Sequence, residues 1–140
     1  MRTINHIVLH CTATPQTATV ESIQKYWKEK LGWKSPGYHF IIKPSGEIVK
    51  LLSVDLVSNG VQGHNHDSIN ISYIGGIDTK GQPYDNRTPA QKKSQEELIK
   101  MFKIRWPEAD VLGHRDFPGV KKACPSFDVK KWLKDAGIKT

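Results

Sequence analysis

The sequence predicts an α/β fold, a single domain with a mixed central β-sheet flanked by about three helices. Strand-length apolar runs and segments of helical spacing follow one another in the order strand, helix, hairpin, strand, helix, strand, helix. The helical segments open on residues suited to N-capping, which separates them from the strands. At 140 residues the chain has the length of one domain, enough to bury roughly two-thirds of its unfolded surface without staples. No repeat, low-complexity tract or interdomain linker interrupts it, so the expected domain spans residues 1–140.

Each element follows from local chemistry. Residues Ile4 to Cys11 alternate, with His6, Val8 and His10 on one face and Ile7, Leu9 and Cys11 on the other. Apolar side chains on both faces predict a strand covered on each side. Thr12 to Thr19 is loop-like in its Thr and Pro content, and Thr19 is placed to cap a helix with Glu21 in its first turn. Val20, Ile23, Trp27 and Leu31 fall at helical spacing, and Gly32 marks the stop. Tyr38 to Ile42 reads as a strand, Pro44 to Glu47 as a turn, and Ile48 to Leu52 as the returning arm of a hairpin. A loop from Ser58 to Asn70 leads into a short strand, Ile71 to Ile74, which Gly75-Gly76 ends; Asp78 to Arg87 is polar loop.

Thr88-Pro89-Ala90-Gln91 is the strongest local signal: Thr as N-cap, Pro at the first helical position and Gln completing a capping box. The helix is expected to run to about Trp106, with Leu98, Met101, Phe102 and Arg105 down one side, and Pro107 forbids continuation. Val111 to Gly113 is a last strand ending at His114. Asp128 then caps a terminal helix carrying Trp132, Leu133 and Ala136, with Gly137 beyond its end.

Composition narrows the function less than the fold. With 37% hydrophobic and 25% charged residues, the chain reads as an ordinary soluble globular protein. Its net charge of +7 attracts polyanions such as nucleic acid, anionic cell wall or a membrane surface. Lys and Arg are dispersed, so charge alone does not choose among them. Two cysteines make no disulfide framework, and a reducing compartment is the simpler expectation. Ile7-Val8-Leu9 is too short for the core of a signal peptide, and no apolar stretch is long enough to span a bilayer. Synthesis in the cytoplasm, without a route of its own through a membrane, is therefore expected.

Six histidines and two cysteines are the candidate metal ligands. His10 and His114 each sit at the C-terminal end of a predicted strand, where open α/β sheets tend to build sites. Cys124 lies in a loop ten residues beyond His114. Two His and one Cys with a fourth position open would make a catalytic type of zinc site. Adjacent strand residues point to opposite faces, so His10 and Cys11 do not easily reach one metal. Cys11 shares its face with Ile7 and Leu9 and reads as a small buried hydrophobe, leaving Cys124 as the better sulfur donor.

The segments HCTAT (His10 to Thr14), GYHFIIKPSGEI (Gly37 to Ile48), GHNHDSINISYIGGID (Gly63 to Asp78), TPAQ (Thr88 to Gln91) and KACPSFDVKKW (Lys122 to Trp132) carry a resemblance. On them the chain is similar to the zinc-dependent N-acetylmuramoyl-L-alanine amidases, amidase type 2, and within them to the bacteriophage lysozymes of the T-seven type. The animal peptidoglycan recognition proteins share that fold. The resemblance implies endolysin-like hydrolysis of the amide between N-acetylmuramic acid and the L-alanine of the peptidoglycan stem peptide. It implies one Zn2+ per chain on His10, His114 and Cys124, with Tyr38 and Lys122 catalytic. Lys122 would steady the oxyanion, and Tyr38 would either donate to it or relay a proton. The chain departs from the family pattern at Gly60, His64 and Asn70, where a histidine, a tyrosine and a glycine are usual. Within that loop His64 and Asn65 are the expected substrate contacts.

Plainer readings stand beside these. Taken alone, Tyr38 is a core aromatic and Lys122 a solvated charge like Lys121; only the GYHF and KAC contexts select them. His39 has the opposite strand parity to Tyr38 and reads as structural. His6 lies roughly 7 Å further down its strand than His10 and reads as structural or as support behind it. His66 is either exposed or substrate-facing. Asp116 either holds a ligand imidazole from behind or pairs with Arg115 at the surface, and Trp33 reads as a groove edge.

The alternative on the same fold is a non-catalytic peptidoglycan recognition module; such members typically lose the cysteine ligand, which is present here as Cys124. No aromatic-basic ribbon, recognition helix or finger spacing appears, so direct nucleic-acid binding is not expected. The expected partner is peptidoglycan, the expected state a monomer, and the expected route to the wall a separate release pathway.

Overall fold

The apolar run near the start of the chain forms β1 (His6–Cys11), buried from Ile7 onward. This computed structural model describes residues 2–140. After β1 come α1 (Val20–Glu29), β2 (Phe40–Ile42), β3 (Ile48–Lys50), β4 (Ser68–Tyr73), α2 (Pro89–Arg105), β5 (Asp110–Gly113) and α3 (Val129–Asp135). One-turn 3-10 segments, Asn65–Asp67 and His114–Asp116, lead into β4 and out of β5.

The strands make one five-stranded sheet in the order β3-β2-β4-β1-β5. β2 and β3 pair antiparallel, whereas β2–β4, β4–β1 and β1–β5 are parallel. The sheet is mixed with helices on both faces, as the alternation of elements predicts. Because β1 is an interior strand, with β4 on one side and β5 on the other, period 2 divides its residues between two buried environments. Ile7, Leu9 and Cys11 join Ile69, Ile71 and Tyr73 of β4, Leu98, Ile99 and Phe102 of α2, and Val129 and Leu133 of α3. On the other face Val8 packs with Leu112, Val61 and Phe117, and α1 lays Val20, Ile23 and Trp27 on Ile41 and Ile74.

That second face also holds a polar strip. In register along β1 and β4, Val8 lies beside Asn70 and His10 beside Ser72. His10, Ser68, Asn70 and Ser72 are all buried. Polar groups removed from water must find partners, and those partners build the site.

The caps form as expected. Thr88 Oγ1 accepts from the Gln91 N–H at 3.0 Å while Gln91 Oε1 accepts from the Thr88 N–H at 3.0 Å. Thr19 does the same with Ser22, and Asp128 Oδ1 accepts from the Lys131 N–H at 3.1 Å.

Several boundaries shift by a residue or two, and two strand starts and one helix face differ in ways that matter for packing. β4 begins at Ser68 rather than Ile71, because Ser68 and Asn70 face the polar strip and make a buried strand look like loop. β2 begins at Phe40 rather than Tyr38, although the His39 N–H still donates to the Asn70 carbonyl at 2.8 Å. In α2 the buried stripe is Gln91, Ser94, Gln95, Leu98, Ile99 and Phe102, and Met101 is exposed. Three polar members of that stripe hide its period: Gln91 Nε2 donates to the Ile42 and Ile74 carbonyls and Ser94 Oγ to that of Gly46.

Candidate active site

His10 and His114 meet because β1 and β5 are neighbours in parallel register, with Leu9 opposite Gly113. The next residue of each chain direction is a histidine, and the two rings stand edge to face with centroids 4.9 Å apart. The site therefore sits at the C-terminal ends of parallel strands, the rim where such sheets leave room for ligands.

Cys124 reaches this rim from a loop pinned at several points. The Arg115 N–H donates to the Cys124 carbonyl at 2.9 Å, and the buried Tyr73 hydroxyl donates to the Pro125 carbonyl at 2.7 Å. Gly113 permits the approach: a Cβ there would lie 2.8 Å from Pro125 Cδ and 3.1 Å from Val129 Cγ2. Cys124 Sγ then stands 3.7 Å from His10 Nδ1.

The donor atoms of His10, His114 and Cys124 all lie within 4.8 Å of one another. Among the described residues this is the one cluster of three such donors with that convergence. The Cys11 side chain is absent from it; its Sγ lies in the core, 3.7 Å from Ser126 Oγ. Cys11 instead serves through its backbone, its N–H donating to Cys124 Sγ at 3.3 Å and its carbonyl accepting from the Tyr38 hydroxyl at 3.2 Å.

The electrostatics suit a cation. Burial, then the neighbouring His114, push the His10 imidazole down to about 3. Burial, then the Lys122 charge, bring His114 down to about 4. Both rings are thus neutral with lone pairs available. Hydrogen bonding with the Cys11 thiol, reinforced by burial, pushes the Cys124 thiol up, so a thiolate there calls for a positive partner. Two neutral imidazoles and one thiol with a side open to a cavity fit the donor set of an open, catalytic zinc site.

The cavity over these donors, about 200 Å³, is also lined by Tyr38, Lys122, Trp27, Trp33, Asn59 and Gly60. Tyr38 is half-buried, with its ring 5.0 Å from that of His10 and 5.4 Å from that of Trp27. Burial raises its phenol far above the ordinary value, so the hydroxyl keeps its proton. Lys122 is exposed at the mouth. A second groove, about 650 Å³, continues from the same His114, Lys122, Asn59 and Gly60 past Gln62, Gly119 and Lys121.

The structure thus brings His10, His114, Cys124, Tyr38 and Lys122 together, and puts Trp33 at the cavity edge. It does not bring His64 and Asn65 to the cavity. Asn65 Oδ1 accepts from the Val61 N–H at 2.7 Å, and the His64 ring lies 4.4 Å from that of Phe117. His6 and His66 flank Asp67, at 3.4 Å and 3.8 Å, away from the site. Asp116 accepts from the Gly113 N–H at 2.8 Å and so braces the turn that carries His114. The sequence reading missed two supports, the Tyr73 hydroxyl and Asn70, whose Oδ1 lies 2.8 Å from His10 Nε2. A polar residue every second position from Ser68 to Ser72 was the available signal.

A family model described as N-acetylmuramoyl-L-alanine amidase matches residues 1–127. An endolysin of Klebsiella phage KP32 is 38% identical over 129 residues, covering 91% of this chain and 84% of that one. An endolysin of Escherichia phage T7 is 39% identical over 128 residues, covering 90% and 83%. Among solved structures, the N-acetylmuramoyl-L-alanine amidase LysC from Clostridium intestinale superposes with a TM-score of 0.80 at 25% identity, covering 99% of this chain and 88% of that one. Drosophila PGRP-LB shares the fold, with a TM-score of 0.77 at 17% identity over 100% of this chain and 85% of that one.

Proposed function

Because this chain belongs to the N-acetylmuramoyl-L-alanine amidase family and is a cell-wall amidase, we propose that His10, His114 and Cys124 hold one zinc ion and that Tyr38 and Lys122 assist the hydrolysis. The observation that carries this reading is the convergence of three donor atoms within 4.8 Å, drawn from three distant segments, under a cavity that Tyr38 and Lys122 also line. When bound, zinc supplies Lewis acidity toward the scissile carbonyl and toward water.

The protein groups do the rest. The tetrahedral intermediate carries an oxyanion that needs hydrogen-bond donors or positive charge in a site shielded from water. Tyr38 keeps its proton and acts as a donor. Its resting partner is a neutral carbonyl, that of Cys11 at 3.2 Å, and a charged oxygen makes the stronger bond. Lys122 contributes a point charge on a flexible stem, two residues from a ligand. That same charge helps keep His10 and His114 unprotonated. The groove running on past Lys121 leaves space for a polymeric substrate, and the net charge of +7 favours an anionic wall. A purely recognitive role finds no support in a site whose Cys124 completes the donor set.

The test is mass spectrometry of purified peptidoglycan digested by the zinc-loaded protein. Stem peptides with free L-alanine amino termini are expected. Release of sugars, or of peptides cut elsewhere, would falsify the assigned bond.

A further inference from the structure

Behind His10 runs a line of buried hydrogen bonds that none of the catalytic steps uses. We propose that Asn70, held by Ser58 and His39, is a positioning residue that fixes the tautomer of His10 and thereby presents its Nδ1 to the metal. This rests on the reading of His10 as a ligand. All four residues, His10, Asn70, Ser58 and His39, are almost without solvent contact, at 1%, 0%, 0% and 0% exposure.

The direction of the line follows from groups that can play only one role. The Leu56 carbonyl only accepts, so His39 Nε2, 2.8 Å away, carries the ring hydrogen. His39 Nδ1 is then an acceptor, and the main-chain N–H of Asn70, which only donates, points at it from 3.0 Å. The Arg2 guanidinium 3.3 Å from Nε2 disfavours a second proton on this ring. Ser58 Oγ, 3.3 Å from the same Nδ1, shares that acceptor with the Asn70 N–H and itself accepts from Asn70 Nδ2 at 2.8 Å. The carboxamide is thereby oriented with its oxygen toward His10. Asn70 Oδ1 accepts from His10 Nε2 at 2.8 Å, which leaves the His10 lone pair on Nδ1, the nitrogen 3.7 Å from Cys124 Sγ. A flipped carboxamide would face Nε2 with a donor, move the ring hydrogen to Nδ1 and abolish the ligand.

The space for this carboxamide exists because residue 60 is glycine. A Cβ on Gly60 would lie 2.2 Å from Asn70 Cγ, 2.3 Å from Oδ1 and 2.6 Å from Nδ2. Gly60 and Asn70 together therefore form the back wall of the ligand.

Two measurements test this on the full chain. In the metal-free native protein, two-bond proton–nitrogen NMR correlations of the imidazoles are expected to show His10 with its hydrogen on Nε2; a hydrogen on Nδ1, or an even mixture, overturns the proposal whether or not any variant folds. Chelator competition is expected to show zinc bound about 10–100-fold more weakly by Asn70→Ala, the usual cost of losing the group behind a metal-bound histidine. Asn70→Asp, which keeps an acceptor facing Nε2, is expected to retain the tautomer and recover most of that affinity. Native affinity in a folded Asn70→Ala overturns the positioning role. A native chain with its hydrogen on Nε2 that binds no zinc instead refutes the ligand reading and leaves the tautomer assignment supported.

Discussion

The Cys11 main-chain N–H donates to Cys124 Sγ at 3.3 Å, while the Cys11 side chain packs in the core. Of two neighbouring sulfurs, one faces the donors, while the other stays in the core, hydrogen-bonds with the first and adds its backbone N–H. Cys11→Ser is therefore expected to keep zinc, since its N–H survives the exchange, at some cost in stability from a hydroxyl placed among apolar groups. Cys124→Ser removes a donor atom and is expected to weaken binding by more than about 100-fold, beyond the effect of losing a group behind a ligand. Metal content after dialysis against a weak chelator separates them. Equal losses in both variants would mean that Cys11 reaches the metal.

Tyr38→Phe removes one oxygen and leaves the ring against His10 and Trp27. Zinc content is expected to remain, with turnover on purified peptidoglycan reduced about 10²–10⁴-fold, the range for losing a positioned proton donor. Lys122→Ala is expected to cost roughly 10²–10³-fold through lost oxyanion stabilisation. Full activity in both variants would remove these residues from the chemistry.

Acid is expected to destabilise the metal-free chain through its buried histidines. Burial holds His39 down to about 4 and His114 to about 4, and drives His10 to about 3. In the unfolded chain each titrates near 6.5. Above that value both states are neutral and the full stability is present. Between about 6.5 and about 4 the unfolded chain takes up protons that the folded chain refuses, so stability is lost as pH falls. His39 alone accounts for roughly 3 kcal/mol by the lower end of that window. Urea midpoints compared at about pH 7.5 and about pH 4.5 check this. An unchanged midpoint would show that these rings are hydrated in the folded protein.

Much of this was legible in the sequence for a physical reason: caps and alternation act locally. Thr88 and Gln91 find each other within one helical turn, and His10 lies on the face opposite Ile7 and Leu9 by parity alone. Less legible was whatever depended on polar groups placed inside. Gln91, Ser94 and Gln95 on the buried face of α2 made Met101 look like core. Ser68 and Asn70 made the first half of β4 look like loop, so a support of His10 was read as part of a segment facing substrate. Hydropathy grades a side chain by its cost in an apolar medium. It does not register the distant carbonyl or imidazole that cancels that cost.

The pairing of Gly60 with Asn70 gives a prediction about coupling. In Gly60→Ala the new methyl falls on all three outer atoms of the Asn70 carboxamide, the nearest at 2.2 Å. The carboxamide is held by Ser58 and His10 and has no free direction to move. The expected cost is about 1–3 kcal/mol, as for other overpacked interiors, together with weaker zinc binding as Asn70 is pushed off His10. Asn70→Ala deletes the three atoms that clash. In that background Gly60→Ala is expected to cost much less, giving a coupling of about 0.5–3 kcal/mol between the two positions in a double-mutant cycle. Zinc affinity behaves differently: the double variant stays as weak as Asn70→Ala, because the methyl fills space without accepting from Nε2. Strictly additive urea-denaturation costs would mean that residue 60 and the carboxamide do not share one space. Recovered zinc affinity in the double variant would mean that filling the space behind His10, and not the hydrogen bond, aims the ring.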